Sequence, residues 1–342
     1  MASNPTWGEK TAGSEVAKTF ADQVKGRNDD SERHRGAGPA HIILASRTQA
    51  KLEQAATELR SAHPGIDIQT VLLDLASQAA VRQAAAEIAA RIPKLDLLIN
   101  NAGAVVMTRR LTAEGIELQF GANHVGHFLF TKQLMPLLEA AAKASEAGAT
   151  RIVNLSSQGH RCSPVRFHDI NIEGKEVPDE EKQPSGMPPA FNRVNDDGYM
   201  PIVAYGQSKS ANILFTMALQ QRLKSRALRP LQFIREVSLL PTSSPPLSFG
   251  DMEFRQACQR VANFVKAIDT NLGREHDPEM AEAISKTATY WKTLDEGSAT
   301  TLVAALDPRS TIAEPAPWAK NAESAEKLWR LSEELIGEKF DL

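Results

Sequence analysis

Cysteine is nearly absent from this chain of 342 residues: only Cys162 and Cys258 occur. Two cysteines cannot build the disulfide framework of a small secreted domain. Basic charge is not in excess, since the formal net charge is −3, and that argues against nucleic acid as a partner. No apolar run approaches the ~18–20 residues that a membrane-spanning helix needs. Met1 to Lys18 lacks the apolar core of a signal peptide. Together these absences give the expectation of a cytoplasmic protein without a transmembrane segment. Ser157 lacks the Gly-x-Ser-x-Gly elbow of hydrolases. His124-x-x-His127 and His160-x-Cys162 lack the four-ligand spacing of a structural metal site, so no metal is expected. The four tryptophans, Trp7, Trp291, Trp318 and Trp329, are scattered and mark no stacking surface. No internal repeat or heptad runs through the chain.

What remains is a chain with 42% hydrophobic residues, enough for one large or two small domains. From His41 onward strands and helices alternate. Ile42 to Ala45, Ile66 to Leu73, Leu95 to Ile99 and Thr150 to Leu155 read as buried strands. Thr48 to Ala62, Ser77 to Arg91, Thr112 to Phe120 and Ala122 to Ser145 read as helices. That alternation predicts an α/β fold with a parallel, doubly wound sheet. Ser14 to Lys25 reads as a short amphipathic helix. Residues 163–201 are rich in Pro, Gly, Asp and Glu and read as a long loop. Leu231 to Leu239 is a further strand candidate. Asp251 to Lys266, Met280 to Leu306 and Ala322 to Leu335 have helical patterns.

The chemistry centres on Tyr205-Gly206-Gln207-Ser208-Lys209. It opens an amphipathic run, Ala204 to Leu223, in which Leu214, Met217 and Ala218 recur at helical spacing. Residues four apart share a helix face, so Tyr205 and Lys209 point the same way. A phenol loses its proton near pH ~10. A neighbouring ammonium favours the phenolate, which would suit the pair to general acid/base work near neutrality. Tyr-x-x-x-Lys alone arises easily by chance; its weight comes from what precedes it.

Asn100-Asn101-Ala102-Gly103 follows a buried strand, Asn123-His124-Val125-Gly126-His127-Phe128 lies on the next helix, and Asn154-Leu155-Ser156-Ser157 ends another strand. With Tyr205 and Lys209, these segments resemble the short-chain dehydrogenase/reductase family in order and spacing. The likeness is strongest to its retinol-dehydrogenase-like and WW-domain-oxidoreductase-like branch, over about residues 40–235 and 267–308. It implies a Rossmann-like fold in one domain spanning 1–342, and an oxidoreductase that interconverts an alcohol and a carbonyl. Tyr205 would exchange the proton, Lys209 would bind the nicotinamide ribose, Ser157 (or Ser156) would polarise the substrate oxygen, and Asn123 would bend its helix and support a proton relay. Asp74 would contact adenine, Asn100 and Asn101 would line the adenosine side or tie strands together, and Thr270 would lie beside the nicotinamide. Where an acid after the first strand would bind the ribose of NAD, this chain has Arg47, which suits the 2′-phosphate of NADP. A small, lipophilic alcohol or carbonyl substrate follows, and a homo-oligomer stays open.

The chain departs from the family pattern twice. A dinucleotide fold opens with a strand, a glycine-rich turn and a helix, a unit of ~30 residues. Residues 1–40 are atypical: Arg27 to Arg35 is almost wholly charged or polar, and Gly36-x-Gly38 precedes a strand instead of following one. After Pro241 an unfamiliar insertion, 242–266, interrupts the nicotinamide-side turn. These departures keep a second reading alive, a non-catalytic member of the fold that binds or scaffolds.

Overall fold

The structure, a computed structural model, describes residues 12–19, 41–146, 148–225, 232–234, 275, 278–285, 298, 301–302, 305–306 and 315–342. A short helix, α1 (Gly13–Thr19), precedes the sheet region. Strand β1 (His41–Ser46) leads through α2 (Gln49–Ala62) to β2 (Asp67–Leu72). Helix α3 (Gln78–Arg91) then crosses to β3 (Leu97–Asn100). A one-turn helix (Leu118–Phe120) and a π-turn (Gly121–Val125) run into α4 (Gly126–Ala144), and β4 (Arg151–Asn154) follows. After the 163–201 segment come α5 (Pro201–Ser225), β5 (Gln232–Ile234), α6 (Pro278–Ser285) and α7 (Ala322–Ile336). Ser77 caps α3 by accepting the Ala80 amide at 3.3 Å, and Asn321 caps α7 by accepting the Ser324 amide at 2.9 Å. Gly337, left-handed at φ 69°, ends α7.

Among the described residues all strand pairs are parallel, as the alternating pattern predicts. His41 lies opposite Asp67 and Ser46 opposite Leu72. Leu97 lies opposite Arg151 and Asn100 opposite Asn154, while β4 also pairs with β5. These pairs form two ladders, β1-β2 and β3-β4-β5. In a doubly wound sheet of order 3-2-1-4-5-6 the first strand lies at the centre. The break falls at that position, and among the described residues no strand joins β1 to β3. Residues 20–40, on which the expected lack of the first strand and its glycine-rich turn falls, lie outside the described residues. One apolar core still serves both halves: Val71, Leu73 and Ile88 belong to the same cluster as Leu98, Ile152, Phe128 and Leu214.

Two sequence expectations are corrected. Helix α5 is not amphipathic but buried on nearly all sides, because Gln207, Ser208, Ser210, Asn212 and Thr216 are themselves buried. Their polar atoms pair inward: Gln207 Nε2 donates to Ile170 O at 2.8 Å, and Ser210 Oγ to Ser163 O at 2.7 Å. Thr112 to Glu117 is a tight turn, not helix. Gly115 takes φ 77°, which a helix does not allow, and Thr112 N donates to Ile116 O at 2.8 Å. The 163–201 segment is the long loop expected, with Ile172, Phe191 and Tyr199 buried in it. Among the described residues no helix is long and apolar enough to cross a membrane. Thr270, the 242–266 insertion and the expected helix at 251–266 lie outside the described residues.

Candidate active site

The site is assembled where α5 passes the ends of β3 and β4. Tyr205 and Lys209 are buried on α5, and the Lys209 ammonium lies 5.8 Å from the Tyr205 ring centroid. Lys209 Nζ also donates to Leu155 O at 3.2 Å, just beyond β4. The two serines after β4 are sorted by their hydrogen bonds. Ser156 Oγ donates to Lys209 O at 2.8 Å, so its proton is committed to the backbone. Ser157 Oγ instead accepts the Gly159 amide at 3.1 Å, which leaves its hydroxyl proton to give.

Two glycines let these groups converge. A Cβ on Gly159 would meet Tyr205 Cε1 at 2.6 Å and Ser157 Oγ at 3.4 Å. The ring and the hydroxyl therefore share the bare face of one residue. A Cβ on Gly103 would meet Lys209 Nζ at 3.5 Å and Asn123 Oδ1 at 3.6 Å. Asn123 itself sits in the π-turn, a device common at functional sites. Its Nδ2 donates to Ser208 Oγ at 3.0 Å and to Ala104 O at 3.0 Å, and its Oδ1 accepts the Ala104 amide at 2.6 Å. Ser208 Oγ passes the connection to Tyr205 O at 2.7 Å. Tyr205, Lys209, Ser157 and Asn123, far apart in the chain, are thus joined around Gly103 and Gly159. Sequence reasoning missed Ser208 and Gly159. Helical spacing could have found Ser208, three residues after Tyr205; nothing local marked Gly159.

His127 Nδ1 donates to Asn123 O at 2.9 Å. Burial drives the His127 ring down to about 4, with the nearby Lys209 charge adding to the fall and the bond to Asn123 opposing it. Burial takes His124 down to about 3, helped by His127. Both are neutral rings inside the fold.

The expected cofactor residues gather at the C-terminal ends of strands, where open α/β sheets bind ligands. Arg47 is exposed just past β1, and Asn101 is exposed just past β3. Asp74 follows β2, and its Oδ1 accepts the Ala76 amide at 3.0 Å, a turn role. Asn100 faces inward: its Nδ2 donates to Asn154 Oδ1 at 2.7 Å and Thr131 Oγ1 at 3.0 Å. It ties β3 to β4, the structural half of its expected roles.

The model of the short chain dehydrogenase family matches residues 33–165. The chain is 36% identical over 185 residues to the oxidoreductase fscI of Fusarium equiseti, covering 53% of this chain and 70% of that one. It is 30% identical over 322 residues to retinol dehydrogenase 14 of Mus musculus, covering 87% of this chain and 79% of that one. The chain belongs to the short-chain dehydrogenase/reductase family. It falls in the retinol-dehydrogenase-like branch, and as a member of this family it is an oxidoreductase. A crystal structure of an uncharacterized protein from Mycobacterium paratuberculosis shares the fold of this short-chain dehydrogenase, with TM-score 0.55 and 25% identity over 90% of this chain and 87% of that one.

Proposed function

We propose that this short-chain dehydrogenase interconverts a lipophilic alcohol and its carbonyl with NADP(H). The convergence of Tyr205, Lys209, Ser157 and Asn123 around Gly103 and Gly159 carries the reading. The residues suit a dinucleotide at both ends: Lys209 and Tyr205 for the nicotinamide ribose, Arg47, Asp74 and Asn101 for the adenosine. The cofactor, when bound, supplies or accepts the hydride. The chain's own part is the proton and the positioning. Ser157 donates a hydrogen bond to the substrate oxygen and steadies charge there, keeping its own proton. Tyr205 exchanges the proton with that oxygen, while the Lys209 cation favours its phenolate. Asn123, through Ser208, holds the backbone of Tyr205 in register. The apolar cluster of Met107, Met187, Phe191, Ile202 and Met280, beside the first turn of α5, supports a lipophilic substrate.

The broken sheet favours a second reading, a non-catalytic member that binds or scaffolds. Helix N-terminal amides normally seat the pyrophosphate. Among the described residues no glycine-rich turn stands between β1 and β3 to supply them. Losing several charge-assisted contacts, each worth roughly 1.5–3 kcal/mol, weakens binding by orders of magnitude. The deciding experiment is calorimetric titration of the full chain with NADPH and NADH. The enzyme reading expects saturable NADPH binding, weaker than micromolar and tighter than NADH binding. In a preparation that turns over, Tyr205→Phe should abolish turnover without lowering the melting temperature. No heat of binding up to roughly 10 mM NADPH would replace this reading with the second.

A further inference from the structure

One polar cluster near the site is absorbed by neither the proton chemistry nor cofactor binding. Glu117, Gln119 and Tyr199 are fully buried, each with no measurable exposure. The Tyr199 hydroxyl donates to Glu117 Oε1 at 2.7 Å. The Glu117 carboxylate also accepts the amides of Gln119 at 2.9 Å and Phe120 at 2.7 Å, so it caps the helical turn that leads to Asn123. Gln119 Nε2 donates to Tyr199 Oη at 2.8 Å and to Pro201 O at 3.1 Å, the first residue of α5. On the outside, Arg109 lies 5.4 Å from the Tyr199 ring centroid. It donates to Asp197 Oδ2 at 3.0 Å and Asn171 O at 2.9 Å.

The spacing gives this cluster its meaning. Gln119 precedes Asn123 by four residues, and Pro201 precedes Tyr205 by four. The bond from Gln119 to Pro201 therefore lies one helical turn before the chain Asn123–Ser208–Tyr205. Two rungs, one turn apart, join the same pair of helices. We propose that Glu117, Gln119 and Tyr199 are positioning residues that fix the first turn of α5, and with it Tyr205, against the π-turn carrying Asn123. Burial raises the Glu117 carboxyl above its usual range, opposed by the donated amides, the Tyr199 hydroxyl and Arg109. Burial first, and then the Glu117 charge, push the Tyr199 phenol well above its ordinary value, so it stays a donor. Tyr199 also lies two residues before the end of the 163–201 segment, so the clasp seats that segment on the same two helices.

The inference rests on the assignment of Tyr205 above, and its test needs no bound cofactor. The chain has three tyrosines, so fluorotyrosine labelling gives few resonances, and Tyr205→Phe assigns one. The ionisation of Tyr205 is followed by fluorine NMR in the full chain. Tyr199→Phe keeps the ring and loses only the hydroxyl, and Gln119→Leu cuts the rung to Pro201. In either variant that keeps the parent circular dichroism, the Tyr205 midpoint is expected to move toward that of free fluorotyrosine. Where turnover is measurable, kcat falls roughly tenfold to hundredfold at unchanged KM for NADPH. Asp197 Oδ1 also accepts the Tyr199 amide at 3.1 Å; Asp197→Asn keeps that acceptor and removes the charge facing Arg109, so it should leave Tyr205 as in the parent. A parent-like midpoint in Tyr199→Phe or Gln119→Leu overturns the proposal, as does an equal shift in Asp197→Asn. A chain that binds no NADPH yet shows the Tyr205 shift keeps the clasp and loses the cofactor reading.

Discussion

His124 and His127 show how a single side chain sets the conditions under which this fold persists. Ser332 Oγ donates to Leu328 O at 2.8 Å, so it accepts from His124 Nε2–H at 2.7 Å. Phe120, Phe128 and Phe215 surround the ring, with centroids at 5.1, 6.2 and 5.9 Å. Burial lowers His124 to about 3 and His127 to about 4, from an ordinary 6.5. The unfolded chain therefore binds more protons than the folded one between those values. Their contribution to stability is whole above pH ~6.5 and is lost as pH falls toward ~4, at up to about 1.4 kcal/mol per pH unit for each ring. Urea midpoints at pH 7 and pH 5 should differ clearly in the parent chain. The difference should shrink in His124→Phe, which removes one of the two titrations; an undiminished gap would mean that His124 is not a source of it. Arg47 belongs to the same scale. Arg47→Asp removes the cation suited to a 2′-phosphate and should reverse the preference for NADPH over NADH in calorimetry. An unchanged ratio would refute its role.

Among the elements, α4 depends on a residue without a side chain at its first position. A Cβ on Gly126 would meet Leu75 O at 2.4 Å and Leu75 Cβ at 3.0 Å, so the helix start lies directly on the turn after β2. Gly126→Ala is expected to cost about 1–3 kcal/mol, since that backbone cannot step aside freely. Urea unfolding measures it, and a neutral result would show that the turn yields. Periodicity made α2, α3 and α7 legible in the sequence within a residue or two, because one face of each is wet and the other dry. It misjudged α5, whose polar residues bond inward and so mimic a solvated face. The π-turn at Asn123 was expected only as a bend, since a one-residue change of helical phase leaves no trace in composition. Within the site, Tyr205, Lys209, Asn123 and Ser157 were legible from motif order. The clasp was not, because Gln119 and Tyr199 meet only after the long 163–201 segment folds back.

For the molecule as a whole, the described strands fall into two ladders, β1-β2 and β3-β4-β5. Replacing residues 27–38 with a strand, glycine turn and helix should tighten NADPH binding at least tenfold, read by the same calorimetry. If the repaired chain binds no better, residues 27–38 do not limit the affinity. An unbroken open sheet presents two edges to its surroundings, whereas two ladders present twice as many. Among the described residues the added pair belongs to β1 and β3, whose sequences, His41-Ile-Ile-Leu-Ala-Ser46 and Leu97-Leu-Ile-Asn100, carry no lysine or acid. Such edges are templates for pairing with further copies, because nothing in them repels an incoming strand. Ile99 and Leu72 add exposed apolar surface to the strands. Light scattering of the purified chain should therefore rise with concentration in a way that Ile43→Lys suppresses. The same division of the described strands would then limit how concentrated a solution of this protein can remain clear.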